Sequence, residues 1–226
     1  MLTRRHFIVT SAALFSAPIV SAEETPTVST PRKPVSPSSK WPGWDARVTP
    51  AGYDPATTNP WGLHARFLPA RVEANAGLKP GDIHVDAVAR YLYHIEEEGS
   101  TAMRYGVAIA KGDLYEPGTY TIRVKKKWPT WRPTQSMIKR EPEKYLQYAD
   151  GMDGGPSNPL GARALYLFDG NRDTFLRIHG TPQPRSIGGR ASSGCVRMVM
   201  RHIMDLYPQV KTGSTAFLYA PETALA

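Results

Sequence analysis

The chain has 226 residues, of which 41% are hydrophobic, 21% charged and 10% aromatic, enough apolar material for one sizeable core. These proportions exclude a disordered chain, a collagen and a polytopic membrane protein. A single cysteine excludes a disulfide scaffold and a Cys-rich zinc module. The net charge of +8 suits an anionic polymer: nucleic acid, an anionic lipid surface or an acidic cell wall. Apart from Lys125, Lys126 and Lys127 the basic residues are scattered, and the sequence carries no basic heptad region, ribonucleoprotein motif or Cys/His finger. Nucleic acid is therefore not the expected partner.

Met1–Ala22 reads as an export signal. Arg4 and Arg5 precede a mostly apolar run, Phe7 to Val20, and Val20-Ser21-Ala22 offers a cleavage site after Ala22. Thr3-Arg4-Arg5-His6-Phe7-Ile8 resembles a twin-arginine signal; a general secretory signal that holds two arginines is the alternative. The run is shorter than the roughly 20 residues of a spanning helix, so no stable membrane span is expected after cleavage. Removal of Arg4 and Arg5 would bring the charge to +6. Residues 23–50 hold Pro26, Pro31, Pro34, Pro37, Pro42 and Pro50 among Ser and Thr, the composition of an extended linker; Trp41 and Trp44 could pack onto the domain. Residues 51–81 form a turn-rich N-terminal extension with no clear element.

Residues 82–220 form the expected catalytic domain. Ile83, Val85 and Ala87 alternate with polar partners, and Arg90–Ile95 is rich in β-formers. Glu96–Ser100 is a hairpin turn, Met103–Ala110 its return strand, and Tyr120–Val124 another strand. Trp128–Pro133 and Gly151–Gly161 are loops over a site. Ala164–Phe168 and Thr174–Ile178 are short apolar strands. Val199, Ile203 and Leu206 stand at helical spacing up to Pro208, and Ala216–Tyr219 is a last strand.

The only cysteine, Cys195, lies in Ser192-Ser193-Gly194-Cys195-Val196-Arg197-Met198. A buried structural cysteine behaves as a small hydrophobe. The pattern also reads as a turn leading into a helix start, where free N–H groups favour a thiolate and can hold an oxyanion. The local pattern leaves both open. A thiol nucleophile needs a base. Of the six histidines, His6 lies in the signal, His64 in the extension and His202 on the expected helix; His84 and His94 are expected as partly exposed strand positions. His179 ends an apolar strand and is followed by Gly180-Thr181, which puts its ring at a supported sheet rim. A loop containing Gly188 and Gly189 can return Cys195 to it. No His and carboxylate pair stands at ligand spacing, so no metal is expected.

Ile178-His179-Gly180-Thr181 followed by Ser192-Ser193-Gly194-Cys195-Val196-Arg197-Met198 resembles the signature of the YkuD-type L,D-transpeptidases of bacterial cell walls. Arg104-Tyr105-Gly106-Val107, Pro117-Gly118-Thr119-Tyr120, Trp131-Arg132-Pro133-Thr134 and Asn158–Ala164 extend the resemblance in order over about 82–219. Ser193 departs from the family, which often has histidine there. The resemblance implies a mostly β, mixed-sheet sandwich or barrel-like fold with one or two short helices, and no cofactor. It implies that Cys195 attacks the third residue of a peptidoglycan tetrapeptide stem with His179 as base. Gly180 would orient the ring through its carbonyl, and amides around Ser193, Gly194 and Cys195 would form the oxyanion hole. The acceptor would be a second stem, an outer-membrane lipoprotein lysine, or water. Arg197 would hold a substrate carboxylate or pair with a local one. Asn158, Gly161 and Arg163 either shape the site or form a structural turn; Trp128 and Trp131 either line the cleft or pack in the core. The resemblance implies an exported, periplasmic location. The competing functions are an L,D-carboxypeptidase or Cys peptidase and a non-catalytic wall-binding domain.

Overall fold

The computed structural model describes residues 37–221. The expected export signal and the first half of the linker, 23–36, lie outside them. Helix α1 (Trp41–Val48) stands inside the stretch expected as a tether. Pro42 sits in its first turn, where a missing N–H costs nothing, and Thr49 ends it with Oγ1 donating to the Asp45 carbonyl at 2.8 Å. Trp41, Trp44 and Val48 fall on one face and pack with Trp128, Ala162 and Met200. Composition pointed to a linker, but three apolar side chains at helical spacing find a surface that covers them. A short 3-10 turn, Ala65–Phe67, leads into strand β1 (Ala70–Glu73), both in the extension where no element was expected.

Next come β2 (Ile83–Asp86), β3 (Tyr91–Ile95) and β4 (Thr101–Gly106), an antiparallel meander matching the expected strands and hairpin. The return strand does not run on to Ala110. It breaks after Gly106, where a Cβ would lie 2.6 Å from both the Cβ and the carbonyl oxygen of Phe67. Ile109–Ala110 then forms β5, in a second small sheet. Strand β6 (Gly118–Lys127) is followed by the Trp128–Pro133 loop and two short helices, α2 (Gln135–Arg140) and α3 (Pro142–Tyr145). The second half comprises β7 (Arg163–Asp169), β8 (Arg172–Thr181), β9 (Arg190–Ser192), β10 (Val196–Val199), α4 (Met200–Gln209) and β11 (Thr215–Leu218).

The fold is mostly β. The main sheet has the order β1-β4-β3-β2-β11-β6-β7-β8-β10, and β5 pairs with β9 in the second sheet. Strands β8 with β10 and β2 with β11 are parallel; the other main-sheet pairs are antiparallel. One core unites Ile83, Val85, Leu92, Ile122, Leu165, Leu167, Ile178, Val196 and Met198 with Ile203 and Leu206 of α4. Each such aliphatic side chain contributes about 1.5–3 kcal/mol of transfer free energy.

His84 and His94 are buried, not partly exposed. His84 stacks on Phe217 and bonds the Tyr219 hydroxyl through Nδ1 at 2.8 Å. His202 of α4 is fully buried beside Trp61 and Tyr105, and among the described residues neither ring nitrogen has a hydrogen-bond partner. Burial lowers its pKa to about 3 because the charged ring would lose its hydration. An unfolded histidine takes up a proton near pH 6.5, so the unfolded state binds more protons between the two values and stability falls as pH drops through that window. His202→Phe should remove about 1.4 kcal/mol per pH unit from the slope of unfolding free energy below pH 6. Denaturant melts at pH 4.5, 5.5 and 7 measure it; an unchanged slope would contradict a neutral buried ring.

Candidate active site

The parallel pairing of β8 with β10 sets His179 opposite Arg197 and Ile178 opposite Val196. Side chains alternate along a strand, so Arg197 shares a face with His179. Cys195 sits in the bend just before β10, two residues ahead of the Arg197–His179 pair. Cys195 and His179 line one cleft of about 1060 Å³, together with Ser193, Gly194 and Arg197.

The imidazole is buried and its Nδ1 lies 2.6 Å from the Gly180 carbonyl oxygen. A carbonyl can only accept, so Nδ1 carries the proton and Nε2 presents its lone pair. Burial, with the Arg197 and Arg177 charges adding to it, lowers the pKa to about 3 against the opposing pull of the carbonyl. The ring is therefore a neutral base at physiological pH. Gly180 itself is closely packed: a Cβ there would sit 3.1 Å from Ile203 Cγ2 and 3.3 Å from the Ala162 nitrogen.

Cys195 is half-buried, and its Sγ is 3.7 Å from the Phe175 carbonyl oxygen. Among the described residues the thiol has no hydrogen bond to the imidazole. Burial raises its pKa; the Arg177 backbone amide and the Arg177 and Arg197 charges pull the other way. This corrects the expectation of a helix start behind the cysteine: β10 intervenes, and α4 begins only at Met200. The helix dipole cannot reach the sulfur, because its effect is confined to the first turn.

The turn before the thiol is self-braced. Ser192 Oγ donates to the Cys195 carbonyl and accepts from the Gly194 N–H at 3.3 Å. One of the three amides expected in an oxyanion hole is thus occupied in holding the turn. Gly194 has φ +142°, and a Cβ there would lie 3.3 Å from Leu176 Cδ2, so a side chain would strain the loop. The Ser193 hydroxyl shares a 3.1 Å hydrogen bond with Tyr145 of α3. Arg197 Nη1 donates to Gln183 Oε1 at 3.2 Å; no carboxylate pairs with it among the described residues.

Three features were not anticipated. Tyr145 belongs to α3, in a stretch for which no element was predicted. Phe175 has φ +61° and a 64% exposed side chain at the cleft, an unusual backbone state for a bulky residue. It lies within an irregularity in the β7–β8 register, between Asp173 and Arg177, and such bulges re-aim local groups, here the carbonyl facing the sulfur. Arg177 forks onto Asp173 at 2.7 and 2.8 Å and lies 3.9 Å from the centre of the Tyr166 ring. Other residues resolve toward structural roles. Asn158 is fully buried and bonds within its own loop. Trp128 is buried and donates to Asp45 Oδ1 at 2.9 Å, while Trp131 lines the cleft. No group of three or more His, Cys, Asp or Glu side chains could hold a metal among the described residues.

The family model for the L,D-transpeptidase catalytic domain (YkuD) matches residues 80–218, and the chain belongs to that family. An open reading frame of the ATP synthase subunits region of Fuscovulum blasticum, named for L,D-transpeptidase, is 32% identical over 130 residues, covering 57% of this chain and 64% of that protein. The "Probable L,D-transpeptidase YbiS" of Escherichia coli (strain K12) is 29% identical over 141 residues, 60% of this chain and 44% of the relative. The matches thus span less than two thirds of these relatives' length. A solved structure from Brucella melitensis, titled "Probable carnitine operon oxidoreductase caia", is 49% identical, with a TM-score of 0.48 and coverage of 67% of this chain and 93% of that one.

The pKa directions set the pH response of thiol acylation. His179 keeps its lone pair well below pH 6, and the thiol ionises above its ordinary range. Acylation by a β-lactam should therefore show no acid limb near pH 6.5 and should climb from pH 7 to 9. Stopped-flow absorbance measures it; a limb centred on pH 6–7 would contradict the buried neutral imidazole.

Proposed function

We propose that this chain is an exported peptidoglycan L,D-transpeptidase with Cys195 as nucleophile and His179 as base. The observation that carries the reading is the single cleft lined by the thiol of Cys195, just before β10, and the imidazole of β8 with its bare Nε2. Cys195 Sγ attacks the carbonyl of the third residue of a tetrapeptide stem. The S–C bond forms, the C–N bond to the terminal D-alanine breaks, and the thiol proton travels through Nε2 to the departing nitrogen. An amine of a second stem then attacks the thioester, gives its proton back through His179, and leaves a 3→3 cross-link. A lipoprotein lysine is an alternative acceptor, and water would make the enzyme an L,D-carboxypeptidase.

Amides of the 193–195 turn supply the oxyanion site, with Gly194 bracing it. The cleft suits an acidic stem. Six cationic side chains (Lys111, Arg132, Lys144, Arg177, Arg190 and Arg197) line it against the single carboxylate of Glu116, a field that draws in carboxylate-bearing peptides. Arg197 is the one proposed to hold a substrate carboxylate. An envelope location follows from the substrate; among the described residues no helix is long and apolar enough to cross a membrane.

Incubation of the protein with purified stem tetrapeptides, read by mass, tests the reading. Cross-linked dimers plus released D-alanine are expected; trimmed monomers alone would favour the carboxypeptidase. Cys195→Ser should form no thioester, and His179→Ala should slow turnover by about a hundredfold. Wall binding without turnover by the unmodified protein would reject the enzyme altogether.

A further inference from the structure

The strongest unassigned cluster joins Asp45, which lies outside the family-matched residues 80–218, to Trp128 and Arg163 inside them. Asp45 of α1 accepts a bidentate fork from Arg163, at 2.9 Å from Nη1 to Oδ1 and 2.6 Å from Nη2 to Oδ2, and also accepts from Trp128 Nε1 at 2.9 Å. The arginine side chain is 7% exposed and the aspartate 28%. A fork of this kind fixes orientation as well as distance.

What it fixes is the wall behind the imidazole. Arg163 Nη1 also donates to the Ala162 carbonyl at 2.8 Å, and the Trp128 N–H donates to the same carbonyl at 2.8 Å. Arg163 opens β7, in which Ala164 stands opposite His179 of β8. Just before it, Gly161 has φ +59° and lies so close to Gly180 that a Cβ would be 2.8 Å from the Gly180 carbonyl carbon. That carbonyl holds His179 Nδ1. A continuous set of contacts thus runs from Asp45 through Arg163 and 161–162 to the group that selects the tautomer of the ring.

We propose that Asp45 is a positioning residue: α1, in the N-terminal segment, holds the 161–164 wall so that the Gly180 carbonyl keeps His179 in the Nδ1–H tautomer with Nε2 free. The inference rests on the reading of His179 as the base. A misplacement of about an ångström at a base costs one to two orders of magnitude in rate, and a carboxylate lost from a forked arginine releases such a shift.

The test uses the full chain and Asp45→Asn, Asp45→Glu and Ile95→Val. Asp45→Asn should lower kcat about tenfold with KM within about twofold. It should also add a second population to the His179 ring signals in long-range 1H–15N spectra. Asp45→Glu should recover most of both. Ile95→Val, which removes one buried methyl group from β3, should lower the melting temperature and leave kcat and the ring signals in place. Should Asp45→Asn fail to fold, Arg163→Lys, which keeps the cation but loses the fork, takes its place with the same expectation. Unchanged kcat and ring signals would overturn the proposal. So would a loss of kcat with the ring unmoved, or one that tracks melting temperature equally in Ile95→Val. The ring spectra need no turnover, so they decide this question even if the unmodified protein transfers no acyl group.

Discussion

The side-by-side parallel run of β8 and β10 is the constraint on which the site depends. It is only four residue pairs long, yet it decides which face Cys195 and His179 present. Because side-chain direction alternates along a strand, a slip of one residue would turn the sulfur away from the cleft. Several local features hold the register. Val196, Met198 and Ile178 are buried in the main core, Ala108 bridges Arg197 from the other side, and the Ser192 hydroxyl braces the turn before the thiol.

Electrostatically the pair is a resting one. Burial disfavours both the imidazolium and the thiolate, so the stored state is neutral thiol and neutral ring. A thiol in an oxidising compartment is less exposed to oxidation when it is held protonated. Flanking guanidinium groups lower the cost of creating negative charge on sulfur, and the same groups discourage protonation of the ring. In the proposed reaction the two effects favour proton transfer during attack over a standing ion pair. This differs from cysteines at helix N-termini, where the thiolate exists before substrate arrives.

Much of this was legible in the residues. Alternation over Ile83–Ala87 and the apolar runs at Ala164–Phe168 and Thr174–Ile178 coincide with strands, because short runs rich in apolar and β-branched residues between turns leave a direct trace. The His-Gly and Ser-x-Gly-Cys-x-Arg segments stood out for their chemistry. Less legible was whatever depends on distant partners. Helix α1 hides in a proline-rich stretch, since its stability comes from Trp128, Arg163 and Met200 and not from its own propensity. The four-residue β10 has no period long enough to separate it from the following helix, so the dipole argument attached to the wrong element. His84 alternates with Ile83 and Val85, and His94 precedes Ile95, so alternation assigns both rings to the outer face, yet both are buried. Tyr145 meets Ser193 only through tertiary folding, across 48 positions of sequence.

The most direct measurement of the thiol–imidazole partnership is the alkylation rate of Cys195 by iodoacetamide at pH 7, followed by intact mass in the unmodified protein and in folded His179→Ala. Removal of the base should slow alkylation about tenfold or more, given the usual range for general-base assistance. Equal rates would mean that the ring does not serve the sulfur, and the account of the site would fail with it.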